Sequence, residues 1–399
     1  MATVVLVGTL DTKGPEYEWL RERVRELGCE VVLVDAGVGA SEVDADVPAE
    51  EVARAGGASL SALRDAGDRG AAVTAMGEGA AAVLAGLERI DAVLAVGGSG
   101  GSSIAARAVR DLPIGLPKVI VSTMAAGDVS PYVGAKDVTL MYSVVDIAGV
   151  NRVSRLILGN AAAAAAGMAK ARERAAPAAD ERPLVAASMF GVTTPAVDAA
   201  RERLDELGYE VLVFHATGAG GQALEGLVES GLLAGVLDLT TTELADDLVG
   251  GVLSAGPERL TAAGRLGVPQ VVAPGALDMV NFGPRETVPE RFEGRNLYVH
   301  NPTVTLMRTT RDEMAELGRR IAGKLRDATG PTVLFLPLGG VSALDAPGMP
   351  FHDPEADEAC FAAMEGAVET ERLDMNINDP AFGRAMADRL HEMISGGSQ

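Results

Sequence analysis

Residues 91–109, DAVLAVGGSGGSSIAARAV, set a short apolar run directly against four glycines and three serines, and these against a helix-like run. A glycine-rich junction between a strand and a helix is a building block of α/β sheets. A flexible linker would not join two regular elements so directly. A tight turn needs one or two glycines to reach left-handed backbone, not four. Glycine also lets backbone N–H groups approach an anion, and a helix start adds partial positive charge. The stretch therefore reads as an anion cradle. Gly97, Gly98, Gly100 and Gly101 supply backbone, and Ser99, Ser102 and Ser103 supply hydroxyls. It is not the dinucleotide fingerprint, because it does not follow the first strand and lacks that glycine spacing.

The same rhythm extends in both directions. TVVLVG (3–8), EVVLVD (30–35) and PKVIVST (117–123) read as buried strands, and PEYEWLRERVREL (15–27) as a helix with one apolar face. Apolar strands separated by helices predict parallel sheets covered on both faces. Around 171–183, ARERAAPAADERP breaks the periodicity, and after it the pattern restarts. This predicts an N-terminal lobe over 1–178 and a C-terminal lobe over 179–399. RERVRELGCEVVLV (21–34) aligns without gaps to RERLDELGYEVLVF (201–214), which suggests an internal duplication. The fold class is α/β: two Rossmann-like or flavodoxin-like lobes with mostly parallel sheets and a ligand cleft between them.

The 399 residues carry a formal net charge of −22. Such a surface repels nucleic acid and anionic membranes, so neither is expected as a partner. Cys29 and Cys360 stand far apart and suggest neither a disulfide framework nor a zinc site. No signal peptide or membrane-length apolar run is evident, and a cytoplasmic location is expected.

Ligands of open α/β sheets bind beyond the C-terminal ends of strands. After the first strand, Gly8, Thr9, Asp11, Thr12 and Lys13 resemble a phosphate loop in composition, without the P-loop spacing. Helix capping by Asp11 or Thr12 is the plainer alternative. After the strand at 117–123, Thr123, Gly127 and Asp128 could line the same crevice. Asp11 and Asp128 are the candidate ligands for Mg²⁺, which takes hard oxygen donors.

The C-terminal half offers a second set. PGALDMVNFG (274–283) carries Asp278 and Asn281, and YVHNPTVTLMRTT (298–310) carries His300, Asn301 and Arg308. PLGGVSALDAPGMPFHDPEAD (337–357) carries Gly339, Gly340, Ser342, Asp345, His352 and Asp353. A loop histidine beside acids suits proton transfer, and Arg308 could clamp a carboxylate. His300, His352, Asp278 and Arg308 are the catalytic candidates; Asn281, Asn301, Gly339 and Gly340 are substrate-side candidates.

Six ordered stretches then add up: VLVGTLDTKGPE, AVGGSGGSS, STMAAGDVSPYVG, PGALDMVNFG, YVHNPTVTLMRTT and PLGGVSALDAPGMPFHDPEAD. Together they resemble the family similar to the N-terminal ATP-binding domain of the tomato mosaic virus resistance protein. The resemblance implies two α/β subdomains, ATP in a glycine-lined crevice, and homodimers. Two readings follow. One is an enzyme acting on a small substrate, carboxylated or not, by phosphoryl transfer, ligation or hydrolysis, with ATP and Mg²⁺. The other is a nucleotide-responsive binding module without turnover.

Overall fold

A computed structural model describes residues 1–175 and 182–396. Two compact units divide the chain, residues 1–178 and 179–399. The boundary expected between 178 and 179 itself lies outside the described residues.

The first unit contains strands β1 (Thr3–Gly8), β2 (Glu30–Asp35), β3 (Ala92–Gly97), β4 (Lys118–Ser122) and β5 (Val138–Tyr142). Its helices are α1 (Leu10–Glu26), α2 (Ala49–Ala55), α3 (Leu60–Ala66), α4 (Arg69–Gly86), α5 (Ser99–Arg110), α6 (Ser130–Val133) and α7 (Arg152–Arg174). The sheet runs β2-β1-β3-β4-β5, every neighbour parallel. Because side chains alternate along a strand, β1 feeds two cores. Val4 and Leu6 join α1 and α7 on one face. Val5 and Val7 join α2, α4 and α5 on the other. Truncating one such buried Leu to Ala typically costs about 2–5 kcal/mol.

Helix α1 starts five residues before the Pro15 start that the sequence suggests. The Thr9 carbonyl accepts the N–H groups of Thr12 and Lys13 and winds a first turn. A kink at Lys13 then carries the chain into the turn holding Pro15, which has no N–H to give.

The second unit contains β6 (Leu184–Met189), β7 (Glu210–His215), β8 (Leu233–Thr240), β9 (Gln270–Gly275), β10 (Met279–Phe282), β11 (Leu297–Asn301), β12 (Val304–Arg308), β13 (Thr332–Pro337) and β14 (Glu369–Leu373). Its helices are α8 (Thr194–Glu206), α9 (Ala219–Glu229), α10 (Glu243–Val249), α11 (Ala262–Leu266), α12 (Arg311–Arg326), α13 (Pro354–Met364) and α14 (Pro380–Gly396). The main sheet runs β14-β13-β9-β8-β6-β7, again parallel. From its second-edge end, this order repeats that of the first unit, with β7-β6-β8-β9-β13 standing where β2-β1-β3-β4-β5 stand. The aligned segments at 21–34 and 201–214 both run from the middle of a helix (α1, α8) into the edge strand β2 or β7.

Two stretches read as loops from sequence are strands instead. β10, β12 and β11 form a three-stranded antiparallel sheet. Tyr-Val-His and Val-Thr-Leu-Met favour a pleated surface. Asn301 Oδ1 accepts both the N–H and the hydroxyl of Thr303 and closes the hairpin between β11 and β12. Among the described residues, no helix is long and apolar enough to cross a membrane.

Candidate functional site

The order β2-β1-β3 makes the gap between the C-terminal ends of β1 and β3 a topological switch point, where open α/β sheets bind ligands. A cavity of about 790 Å³ lies there. Thr9, Asp11, Thr12 and Lys13 line it after β1, and Gly98, Ser99, Gly100 and Gly101 after β3. Thr123 and Met124 follow β4. Val38, Leu63, Val73, Met76 and Ile104 give it an apolar wall. Its size falls in the range of small-ligand pockets, about 300–1,000 Å³.

The glycine stretch is largely the first turn of α5, with Gly98 as N-cap. Ser102 is the first residue to donate into the helix, to Gly98 O at 2.8 Å. Ser99, Gly100 and Gly101 hold the first three helical positions, whose N–H groups have no acceptor inside the helix. None of the four glycines has positive φ. Of the four, Gly97 answers close approach instead. A Cβ on Gly97 would meet Gly101 Cα at 2.8 Å, while one on Gly100 would make only ordinary contacts, the nearest 3.5 Å from Arg69 Nη2.

The remaining expected residues divide. Gly8 serves the core: a Cβ there would fall 2.0 Å from the Tyr17 ring. The Tyr17 hydroxyl sits 2.6 Å from Val7 O and accepts the Val96 N–H at 2.7 Å, tying β1 to β3. Ser102 is fully buried and bonded to Ser122 Oγ at 2.6 Å, and Ser103 donates to Ser99 O at 2.9 Å. Their hydroxyls are spent within the fold, and neither lines the cavity; nor do Gly97, Gly127 and Asp128.

Three cations line the cavity, and none is bridged to a carboxylate among the described residues. Lys13 donates to Ile147 O, and Arg64 donates to the carbonyls of Val38 and Gly39. Arg69 begins α4. The acids on the same wall accept backbone N–H groups: Asp11 those of Val38 and Gly39, Asp68 that of Ala71, Asp146 that of Ile147. Beneath them, burial pushes the Asp35 carboxyl up, while the N–H groups of Gly37 and Leu10 oppose the shift.

Neither magnesium candidate builds a protein-held metal site. Asp128 is exposed, and one of its oxygens already takes both the N–H and the hydroxyl of Ser130. Asp11 commits Oδ2 to two amides. Its Oδ1 is buried, without a partner, against Gly37, where a Cβ would come within 2.6 Å. No group of three metal-ligating side chains occurs among the described residues.

In the second unit, Asp278, Ser342, Asp345, Arg308 and Asp357 form one buried cluster. Ser342 donates to Asp278 at 2.8 Å. Arg308, expected to clamp a substrate, is engaged inside the fold. It donates to Phe351 O at 2.7 Å, Thr309 Oγ1 at 2.9 Å and Asp357 at 2.9 Å. Burial pushes the carboxyls of Asp278 and Asp357 upward, and the nearby Asp345 charge adds to it. Asn281 is buried too, donating to Asp246. Gly339 and Gly340 shape the turn after β13, where a Cβ on either would strike backbone within 2.6 Å. His300 and Asn301 are exposed on β11. His352 is exposed, with Nδ1 3.2 Å from Asp345 O. The four catalytic candidates thus split into two buried groups and two exposed ones.

Arg64, Arg69 and the Val38–Gly39 peptide were missed in the sequence. The available signal was DAGVG (35–39), which follows β2 as the other loops follow their strands.

These features define a two-unit, doubly wound α/β protein with an open crevice at the first unit's switch point. The chain belongs to the uncharacterised protein family UPF0261: residues 2–174 match its N-terminal domain and 182–394 its C-terminal domain. A UPF0261 protein of Clostridium tetani is 51% identical over 98% of both chains. One of Rhizobium meliloti is 49% identical over 96% of this chain and 97% of its own. The ToMV resistance protein Tm-1(GCR237) of Solanum lycopersicum is 41% identical over 98% of this chain and 55% of its own length. The resemblance drawn from the six sequence stretches is therefore borne out.

Proposed function

We propose that the first unit binds a phosphorylated nucleotide, ATP being the candidate the family resemblance supplies. The observation that carries this is the first turn of α5. Ser99, Gly100 and Gly101, whose N–H groups have no acceptor inside the helix, line a cavity of about 790 Å³ together with Lys13, Thr9, Thr12 and Thr123. A helix start of this kind suits phosphate oxygens. The aliphatic wall of Val38, Leu63, Val73 and Met76 suits the faces of a base. Magnesium, in this reading, arrives on phosphate oxygens rather than in a protein-built site.

Binding is the function this geometry supports best. Turnover would need an acid–base group beside the phosphates, and the acids lining the cavity, Asp11, Asp68 and Asp146, are engaged by backbone N–H groups. A thermal-shift panel of nucleotides with and without Mg²⁺ tests the proposal. A ligand at 100 times its Kd should add about 2.7 kcal/mol to unfolding. If no phosphorylated compound raises Tm, the proposal fails.

A further inference from the structure

Resting on that reading, we infer that Arg69 makes the crevice selective for nucleoside di- and triphosphates over monophosphates. Arg69 is exposed at the first position of α4 and has no hydrogen-bond or ion-pair partner among the described residues. The acid next to it, Asp68, is committed to capping α4 through Ala71 N at 3.0 Å. The guanidinium reaches across to the first turn of α5, with Nη2 3.5 Å from where a Gly100 Cβ would stand. The uncapped start of α5 and a guanidinium with no ion-pair partner among the described residues thus meet at one edge of the cavity.

One phosphoryl group suffices for the α5 amides. It leaves the planar fork of Arg69, with its five donors, without an acceptor of its own. A second phosphoryl group supplies that acceptor and can be held by two parallel bonds. The other two cations differ, since Lys13 and Arg64 are already donating to carbonyls that position the walls. Of the three, Arg69 alone has a side chain with no acceptor among the described residues.

The whole protein and its Arg69→Gln variant are titrated calorimetrically with AMP, ADP and ATP. The variant keeps the unliganded Tm, because the exposed side chain has no hydrogen bond or ion pair to lose among the described residues. A lost charge-assisted contact should weaken ADP and ATP by about 10- to 100-fold and AMP by less than about twofold. Arg69→Lys should fall between. Equal weakening of all three ligands, or no weakening of any, overturns the assignment while leaving nucleotide binding intact. Failure of the unaltered protein to bind any of the three overturns the binding reading itself.

Discussion

Asp11 and Arg64 hold the same peptide from opposite sides. Asp11 Oδ2 accepts the N–H groups of Val38 at 3.2 Å and Gly39 at 2.7 Å, and Arg64 donates to the carbonyls of the same two residues. The grip fixes the cavity wall that follows β2. Asp11→Ala removes a charged acceptor from two amides and should cost about 1–3 kcal/mol in urea unfolding. Arg64→Ala should mainly weaken ligand binding. Because both serve one loop, the double variant should lose less affinity than the product of the single losses. Strictly multiplicative losses would show that the two act separately.

Gly97 and Gly100 should respond in opposite ways to alanine. At 97 the new methyl meets backbone at 2.8 Å, so Gly97→Ala should destabilise by about 1–3 kcal/mol, as overpacking does. At 100 the methyl finds ordinary contacts in a helix, where alanine is favoured over glycine by up to about 1 kcal/mol. Gly100→Ala should keep or raise Tm, yet bind nucleotide less well because the methyl stands in the cradle. Calorimetry of both variants with and without ATP separates the two roles.

How much of this was legible in the sequence depended on period and on partners. Strands such as Ala92–Gly97 and Glu30–Asp35 are short apolar runs, and their length and flanks sufficed. The repeat was legible in the ungapped match of 21–34 to 201–214, and in the structure Gly28 and Gly208, both with positive φ, follow their helices at matching points. Side-chain commitments were not legible. Nothing in GGSGGSS shows that Ser102 pairs with Ser122, twenty residues on. Nothing in TVTLMRTT shows that Arg308 is spoken for by Asp357, 49 residues away. Such pairings depend on which loops the strand order brings together. Arg64 and Arg69 escaped because they stand at helices on the wall rather than directly after a strand.

Stability of the second unit should fall as pH rises from about 4. Burial pushes Asp246 up to about 7, and pushes Asp278 and Asp357 upward as well. In the unfolded chain these carboxyls titrate near about 3.9. Above that pH the folded state holds more protons than the unfolded one, so unfolding free energy drops as pH increases through the folded values. Urea midpoints measured from pH 4 to pH 9 should decline across this window. Asp357→Asn, neutral at every pH, should flatten the upper part of the decline. A midpoint that rises steadily with pH would contradict the buried-acid picture.

Arg259 shows what the unpaired cations of the first unit lack. It is fully buried, with Asp238 at 2.6 Å through Nη2, Glu243 at 2.7 Å through Nε and Glu225 at 3.2 Å through Nη1. Glu243 in turn accepts the N–H groups of Gly218 at 2.7 Å and Gly221 at 3.0 Å. A glycine-rich helix start, that of α9, is thus filled by the protein's own carboxylate. A Cβ on Gly221 would fall 2.2 Å from it. Removing the arginine leaves three acids without their counter-charge, so Arg259→Ala should destabilise the second unit by about 3–5 kcal/mol, the usual effect of breaking a buried ion pair. Glu243→Gln, which keeps an acceptor for the two glycine amides, should cost less. At the start of α5, by contrast, no side chain caps the helix, and no carboxylate among the described residues accepts the N–H groups of Ser99, Gly100 or Gly101. Nucleotide should therefore raise the unfolding temperature of the Arg259→Ala protein's first unit as much as it does in the unaltered protein. A two-transition melt with and without ATP reads both effects, and loss of the ATP response in this variant would show that the cradle depends on the second unit's buried charges.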